Sequence, residues 1–232
     1  MTPRRHRARI GTLFVVLASA AAALLAQSAP EDYFNWSASQ AESIGRGLYE
    51  KGRVGGYFDT RLLKTERSYN YKLAATWLTP DVIRATARLE QLRRRLSVDQ
   101  SRALVVAAES TGDTVIMVEL DPREGAGVIP SDWVAFLRPV GTTDSARTVT
   151  GVNTPKLREV PALAGVLRRN YDYDRFWVIF PLKTSSGQPL FSASDREAEL
   201  VVGIYNQEGR VRWLIPESIR QRMASLALST PK

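Results

Sequence analysis

The last third of the chain carries two strand-like runs, residues 198–205 and 210–215, separated by Asn206-Gln207-Glu208-Gly209. Two short runs joined by four turn-forming residues that end in glycine fold back on each other, so they read as neighbouring antiparallel strands. A hairpin needs further strands to bury its apolar face. Tyr69, Tyr71, Leu73 and Ala75 alternate with Asn70, Lys72 and Ala74, a period of two,. TVIMVEL (114–120) and RFWVIFPL (175–182) are almost entirely apolar and read as buried strands,. A short strand is expected at 148–152.

Helices fall between these runs without the regular βαβ alternation that builds a parallel sheet. Thr79-Pro80-Asp81 supplies an N-cap, a proline at the first helical position and an acid in the first turn,. The helix then runs to about Ser97. Ser97 caps a second helix over 99–110, and Pro216-Glu217 opens a last one to about Leu228. Shorter helices are expected at 39–50 and 161–170, and either a helix or a strand after Ser131-Asp132. Gly45, Gly47, Gly52, Gly55 and Gly56 read as punctuation that interrupts any long element,. The fold class is therefore α+β, a largely antiparallel sheet with several packed helices, preceded by an N-terminal signal segment.

That segment begins with Arg4, Arg5, Arg7 and Arg9, unaccompanied by acid. It continues from Ile10 to Ala26 without a charge and ends in small residues at Ala26 and Ser28. This is the layout of a cleavable secretory signal over residues 1–28. The alternative is an uncleaved single-pass anchor, since seventeen uncharged residues sit at the lower edge of what spans a bilayer,. The expected division is a signal at 1–28, a Gly- and aromatic-rich segment at 29–60 and one α+β domain at 61–232. The expected location is the periplasm or the extracellular space. Tyr33, Phe34 and Trp36 near the mature start are expected to dock on the protein's own sheet.

The chain carries a net charge of +8, and four of those charges are the leader arginines, which leaves +4. That balance gives no reason to expect a nucleic-acid partner. There is no cysteine, and the one histidine, His6, lies in the leader. The remainder therefore excludes Ser-His-Asp and Cys-His catalysis, thiol redox chemistry and zinc held by His or Cys ligands. No cofactor and no metal are expected.

Carboxylate chemistry stays open. Glu119, Asp121 and Glu124 cluster where a buried strand feeds a Gly-rich loop, and Asp172 and Asp174 precede another apolar strand. Acids two apart on an extended chain share a face, so facing pairs can serve as acid and base on polysaccharide. Asp at such positions equally starts a turn, with arginine neutralising the cluster. RATARLEQLRRRL (84–96) raises one further prospect. Arg84, Arg88 and Arg95 gather on a stripe opposite Val82, Ala85, Leu89, Leu92 and Leu96, which reads first as a solvated face and second as a surface for an anionic partner,. The expectation is a non-catalytic domain of the cell envelope. Its partner is an unknown envelope protein or a small ligand, with weak membrane-surface contact as a further prospect. The alternative is a carboxylate-based hydrolase.

Overall fold

A computed structural model describes residues 31–55, 70–122, 128–142, 144–167 and 173–228. The chain divides into two compact units, Met1–Asn35 and Trp36–Lys232. Of the first, the described part is a 3-10 helix, Glu31–Asn35, in which the Tyr33 and Phe34 rings lie 4.0 Å apart. The signal segment lies outside the described residues.

The second unit is mixed α+β. Nine strands form one antiparallel sheet: β1 (Tyr49–Gly55), β2 (Tyr71–Leu78), β3 (Thr114–Pro122), β4 (Val134–Pro139), β5 (Val149–Thr150), β6 (Val152–Asn153), β7 (Asp174–Phe180), β8 (Glu197–Ile204) and β9 (Gln207–Leu214). Their order is β5-β4-β8-β9-β1-β2-β3-β7-β6. The two edge strands are thus separated in sequence by Gly151 alone, and the sheet nearly closes on itself. Gly151 donates its N–H to the Ala135 carbonyl at 2.9 Å, and Thr154 donates to the Trp177 carbonyl at 2.7 Å. A Cβ on Gly151 would lie 2.6 Å from Phe180 Cε1 and closer still to Val178. Only glycine lets the chain cross between the two edges there.

One face of every long strand points inward. Leu73, Trp77, Ile116, Leu120, Leu137, Phe180 and Leu200 belong to a single buried cluster. The end of the barrel nearest Trp77 is plugged by Phe191, Ile215, Ile219 and Met223. Trp77 lies 5.7 Å from Trp213 and 6.2 Å from Phe191, and its indole N–H donates to Thr114 Oγ1 at 2.7 Å. That bond satisfies a polar group that burial would otherwise leave costly.

The outer face divides in two. On β2, β3 and β7 it is as buried as the inner face: Ala74, Thr76, Leu78, Val115, Met117 and Trp177 are all out of solvent. Helices supply the cover. α1 (Ala38–Arg46) and α3 (Val98–Glu109) each begin with a capping box, Ser37 with Gln40 and Ser97 with Gln100,. α2 (Pro80–Arg94) begins at the Thr79 N-cap and lies against β2, α1, α3 and the 3-10 turn Pro161–Leu163. Trp36, Ile44 and Leu89 pack on Ala41, Ala85 and Val166, so Trp36 docks in the helical layer and not, as expected, on the sheet. On β4 and β9 burial alternates, with Val134 and Leu214 open to water, whereas β8 between them is buried on both faces from Ala198 to Val202. α4 (Glu217–Leu228) follows the last strand and closes the plugged end.

Several expectations need correction. Gly52 and Gly55 do not break the chain into a loop, because β1 runs through them, and Gly45 lies inside α1; Gly47 does end α1 as its C-cap, and Gly56 lies outside the described residues. Gly52 must be small in β1, since a Cβ would meet the Arg210 carbonyl at 2.7 Å. The hairpin turn is Tyr205-Asn206, two residues rather than four, with Tyr205 at φ +54°. Of the two readings after Ser131-Asp132, the strand is the one formed, as β4. The run after Pro161 stops as a 3-10 turn, because Gly165 takes φ +71°.

Candidate functional site

Glu119 and Asp121 do share a face, the outer one, yet each has a base opposite it on a neighbouring strand. Glu119 stands in register with Arg175 and is 1% exposed, its carboxylate 3.2 Å from the guanidinium. Asp121 is in register with Lys72, 3.0 Å away. Asp174 opens β7 in solvent, opposite Leu120. Glu124 and Asp172 lie outside the described residues. Among the described residues, then, Glu119 and Asp121 meet bases and Asp174 faces solvent, which is not the pair of carboxyls facing across a cleft that glycoside hydrolysis requires,. No group of three or more potential metal ligands occurs among the described residues.

The arginine stripe of α2 is not the helix's solvent side. Arg84 is mostly covered and lies 3.2 Å from Glu109 and 3.7 Å from Asp81. Arg88 donates to the Trp36 carbonyl at 2.9 Å and to Gln91 at 2.7 Å, and Gln91 itself is buried. Two further helices crowd this face, so α2 is covered nearly all round. Arg95 is exposed at the C-cap with φ +54°, and Leu92 is 43% exposed, although it was expected on the buried stripe.

Two carboxyls are held below their ordinary range. Burial disfavours the charged form of Glu199, but hydrogen bonds from Arg138 and Arg212, and the charges of Arg138 and Arg210, outweigh it. At Asp195 burial is again opposed, here by the Ser192 hydroxyl and N–H and by Arg147. Both are ionised acids with their lone pairs engaged. Neither is poised to exchange a proton near neutrality, as a general acid or base must be. Burial, then the nearby Tyr205, push the Tyr71 hydroxyl up.

Among the described residues, three of the depressions could take a ligand. The first, about 850 Å³, lies between α1, α2 and residues 164–167. Its arginines are matched by glutamates: Arg93 with Glu90 at 2.6 Å, Arg46 with Glu42 at 3.9 Å and Arg175 with Glu119. Opposed charges already in contact give little reason to draw in another. The second is a smaller basic cleft on β1 and β2.

The third is a groove of about 630 Å³ between α4 and the segment 188–195. Its floor is the barrel plug itself: Phe191, Ile215 and Met223 are each about 5% exposed or less, and they belong to the core cluster. Pro189, Ala193, Ala224 and Ala227 form the walls. The alanines leave room because α4 turns its larger apolar residues, Ile219 and Met223, into the plug. Polar groups are few and sit at the rim. Arg220 donates its Nε–H to the Ile215 carbonyl at 3.2 Å, and Glu217 lies in the first turn of the helix. Asp195 is fixed by Ser192 and Arg147. Apolar walls with a handful of polar groups in this size range are the usual build of a small-molecule site.

Little in the sequence marks this groove. Residues 183–196 have no periodicity, and a single bridge, Lys183 to Pro189, is their regular structure. The small residues Ala224 and Ala227 beside Met223 were the available signal. No family model, curated protein or solved structure matches the chain.

Proposed function

We propose that the protein is an exported, non-catalytic binding domain of the cell envelope whose ligand is a small amphiphile held in the groove beneath α4. Support for export is the leader: four arginines, an uncharged apolar run and small residues at a cleavable spacing,. No helix among the described residues is long and apolar enough to cross a membrane. The non-catalytic part draws on the acids. Glu119, Asp121, Asp195 and Glu199 are each paired with a base.

The observation that carries the ligand class is the groove's composition. An apolar body would cover Phe191, Ile215 and Met223, and a polar head would meet Arg220, Glu217 or Ser192 at the rim. A volume of about 630 Å³ suits a small molecule rather than a protein partner, which needs a broad face of about 800 Å²,.

A fluorescent fatty-acid analogue, dansyl undecanoate, tests this. It should bind the full chain, raise its unfolding midpoint and be displaced by unlabelled decanoate. A ligand at a hundredfold excess over Kd adds about 2.7 kcal/mol. Ala224→Trp places an indole in the groove from an exposed position. It should weaken binding at least about ten-fold, roughly 1.4 kcal/mol, without lowering stability. Equal binding by the wild type and a folded Ala224→Trp variant would refute the site.

A further inference from the structure

The groove beneath α4 is not evenly lined. Glu217, Arg220, Met223, Ala224 and Ala227 form the side that α4 gives it. They recur at helical spacing and so make one stripe. The charged members stand in the first turns of the helix, and apolar members alone follow them. From Arg220 to Ala227 the stripe runs about 10 Å at the rise of a helix. A ligand lying along it meets charge at one end and apolar wall beyond.

Many arginines of this protein are taken up by carboxylates. Arg93 pairs with Glu90, Arg138 and Arg212 with Glu199, and Arg147 with Asp195. Arg220 is held differently. It donates its Nε–H to the Ile215 carbonyl at 3.2 Å, and among the described residues no carboxylate pairs with it. That bond fixes the direction of the guanidinium and uses one of its five N–H donors, which leaves the two terminal nitrogens as a fork. Arg220 is half-buried in a groove with an apolar floor. A charge pair formed there is screened less than one in open water.

The neighbouring acids limit the charge that Arg220 can hold. Asp195 is balanced by Arg147. Glu217 is exposed, and among the described residues no base pairs with it. A head with a single negative charge gains the Arg220 fork and meets the repulsion of one well-solvated acid. A second negative charge adds to that repulsion and finds no second fork. A cationic head has Glu217 to meet, which water screens, and it faces Arg220 as a like charge.

We infer that the groove selects amphiphiles with one carboxylate head, and that Arg220 sets this preference. The carboxylate accepts two hydrogen bonds from the Arg220 fork, and the chain lies along Met223, Ala224 and Ala227. The inference rests on the reading of the groove as an amphiphile site and adds to it the sign and number of the ligand's charges.

The test is calorimetric titration of the full chain with ligands that share a decyl chain: decanoate, decanol, decyltrimethylammonium and decyl phosphate. At about pH 8 the phosphate monoester carries close to two charges. Decanoate should bind at least about ten-fold more tightly than each of the others. Arg220→Gln should abolish the preference for decanoate over decanol while leaving decanol itself within about two-fold of the wild type. Should Arg220→Gln lose its fold, Glu217→Gln carries the test from an exposed side chain, and it should narrow the gap between decyl phosphate and decanoate at least about three-fold,. If no decyl ligand binds, or if binding is indifferent to Ala224→Trp, the amphiphile reading falls and this inference with it. If decanol or decyltrimethylammonium binds as tightly as decanoate, if folded Arg220→Gln keeps the preference, or if Glu217→Gln leaves the phosphate gap unchanged, the inference alone is overturned.

Discussion

Glu199→Gln is the sharpest test of how this sheet is held together. Glu199 sits on the outer face of β8, is 2% exposed and stands in one cross-strand row with Arg138 on β4 and Arg212 on β9. Arg138 donates two hydrogen bonds to Oε2, at 3.0 and 2.8 Å, and Arg212 donates one to Oε1 at 2.9 Å. Breaking a buried pair costs about 3–5 kcal/mol. Arg212 is 55% exposed and can return to water, so its share is reduced by screening,. Arg138, 17% exposed, is left facing a neutral amide. About 3 kcal/mol is therefore expected, most of it from Arg138. With a urea m-value near 2 kcal/mol/M, the midpoint should fall by about 1.5 M. The pH dependence supplies a second readout. The Glu199 carboxyl is lowered in the folded protein. Its stabilisation is thus complete above the unfolded value of about 4.3 and is lost as pH falls through the folded value. The gap between wild type and variant should be widest near pH 7 and should close towards pH 3. A midpoint shift below about 0.3 M at pH 7, or a gap that does not narrow in acid, would refute the account.

Two further predictions concern closure and address. Gly151→Ala should destabilise the protein by about 1–3 kcal/mol through overpacking against Val178 and Phe180,. Adding Val178→Ala should recover part of that loss in urea unfolding, whereas purely additive effects would show that the clash is not the cause. The protein recovered from the host envelope should begin at Ala29 on N-terminal sequencing, following cleavage after Ser28,. An intact Met1 in a membrane fraction would establish the anchor instead.

Much of the sheet was legible because burial imposes a pattern. β3 and β7 are apolar on both faces since the plug lies on one side and helices on the other, and the sequence shows it as unbroken apolar runs. β9 faces water on one side, and a tight turn joins it to β8. α2 was marked by Thr79 and Pro80. The elements that failed are those whose reason is non-local. β1 contains glycines because Arg210 and Leu73 crowd it, and a close approach from distant strands leaves no periodic trace. β5 and β6 are two residues each, far too short for a pattern, yet they join the ends of the sheet. The solvent-face reading of α2 assumed one buried side. α1 and α3 bury two more, and only tertiary packing reveals that.

The acids teach the same lesson about the site. Glu119 and Asp121 looked like catalytic candidates because they cluster near a strand end on a common face, and that placement is real. What the sequence could not supply is the register that sets Arg175 and Lys72 opposite them. Glu199, which attracted no notice, sits in the same kind of row. Shifting β8 by one residue against its neighbours would turn Glu199 into the apolar interior, facing Leu137 and Val211, where it has no base to meet,. The same slip in β3 would bury Glu119 in that interior, between strands that present Leu73 and Val178. Buried acid–arginine rows on this barrel therefore penalise wrong registers far more than they stabilise the right one. Their carboxylates are committed to alignment.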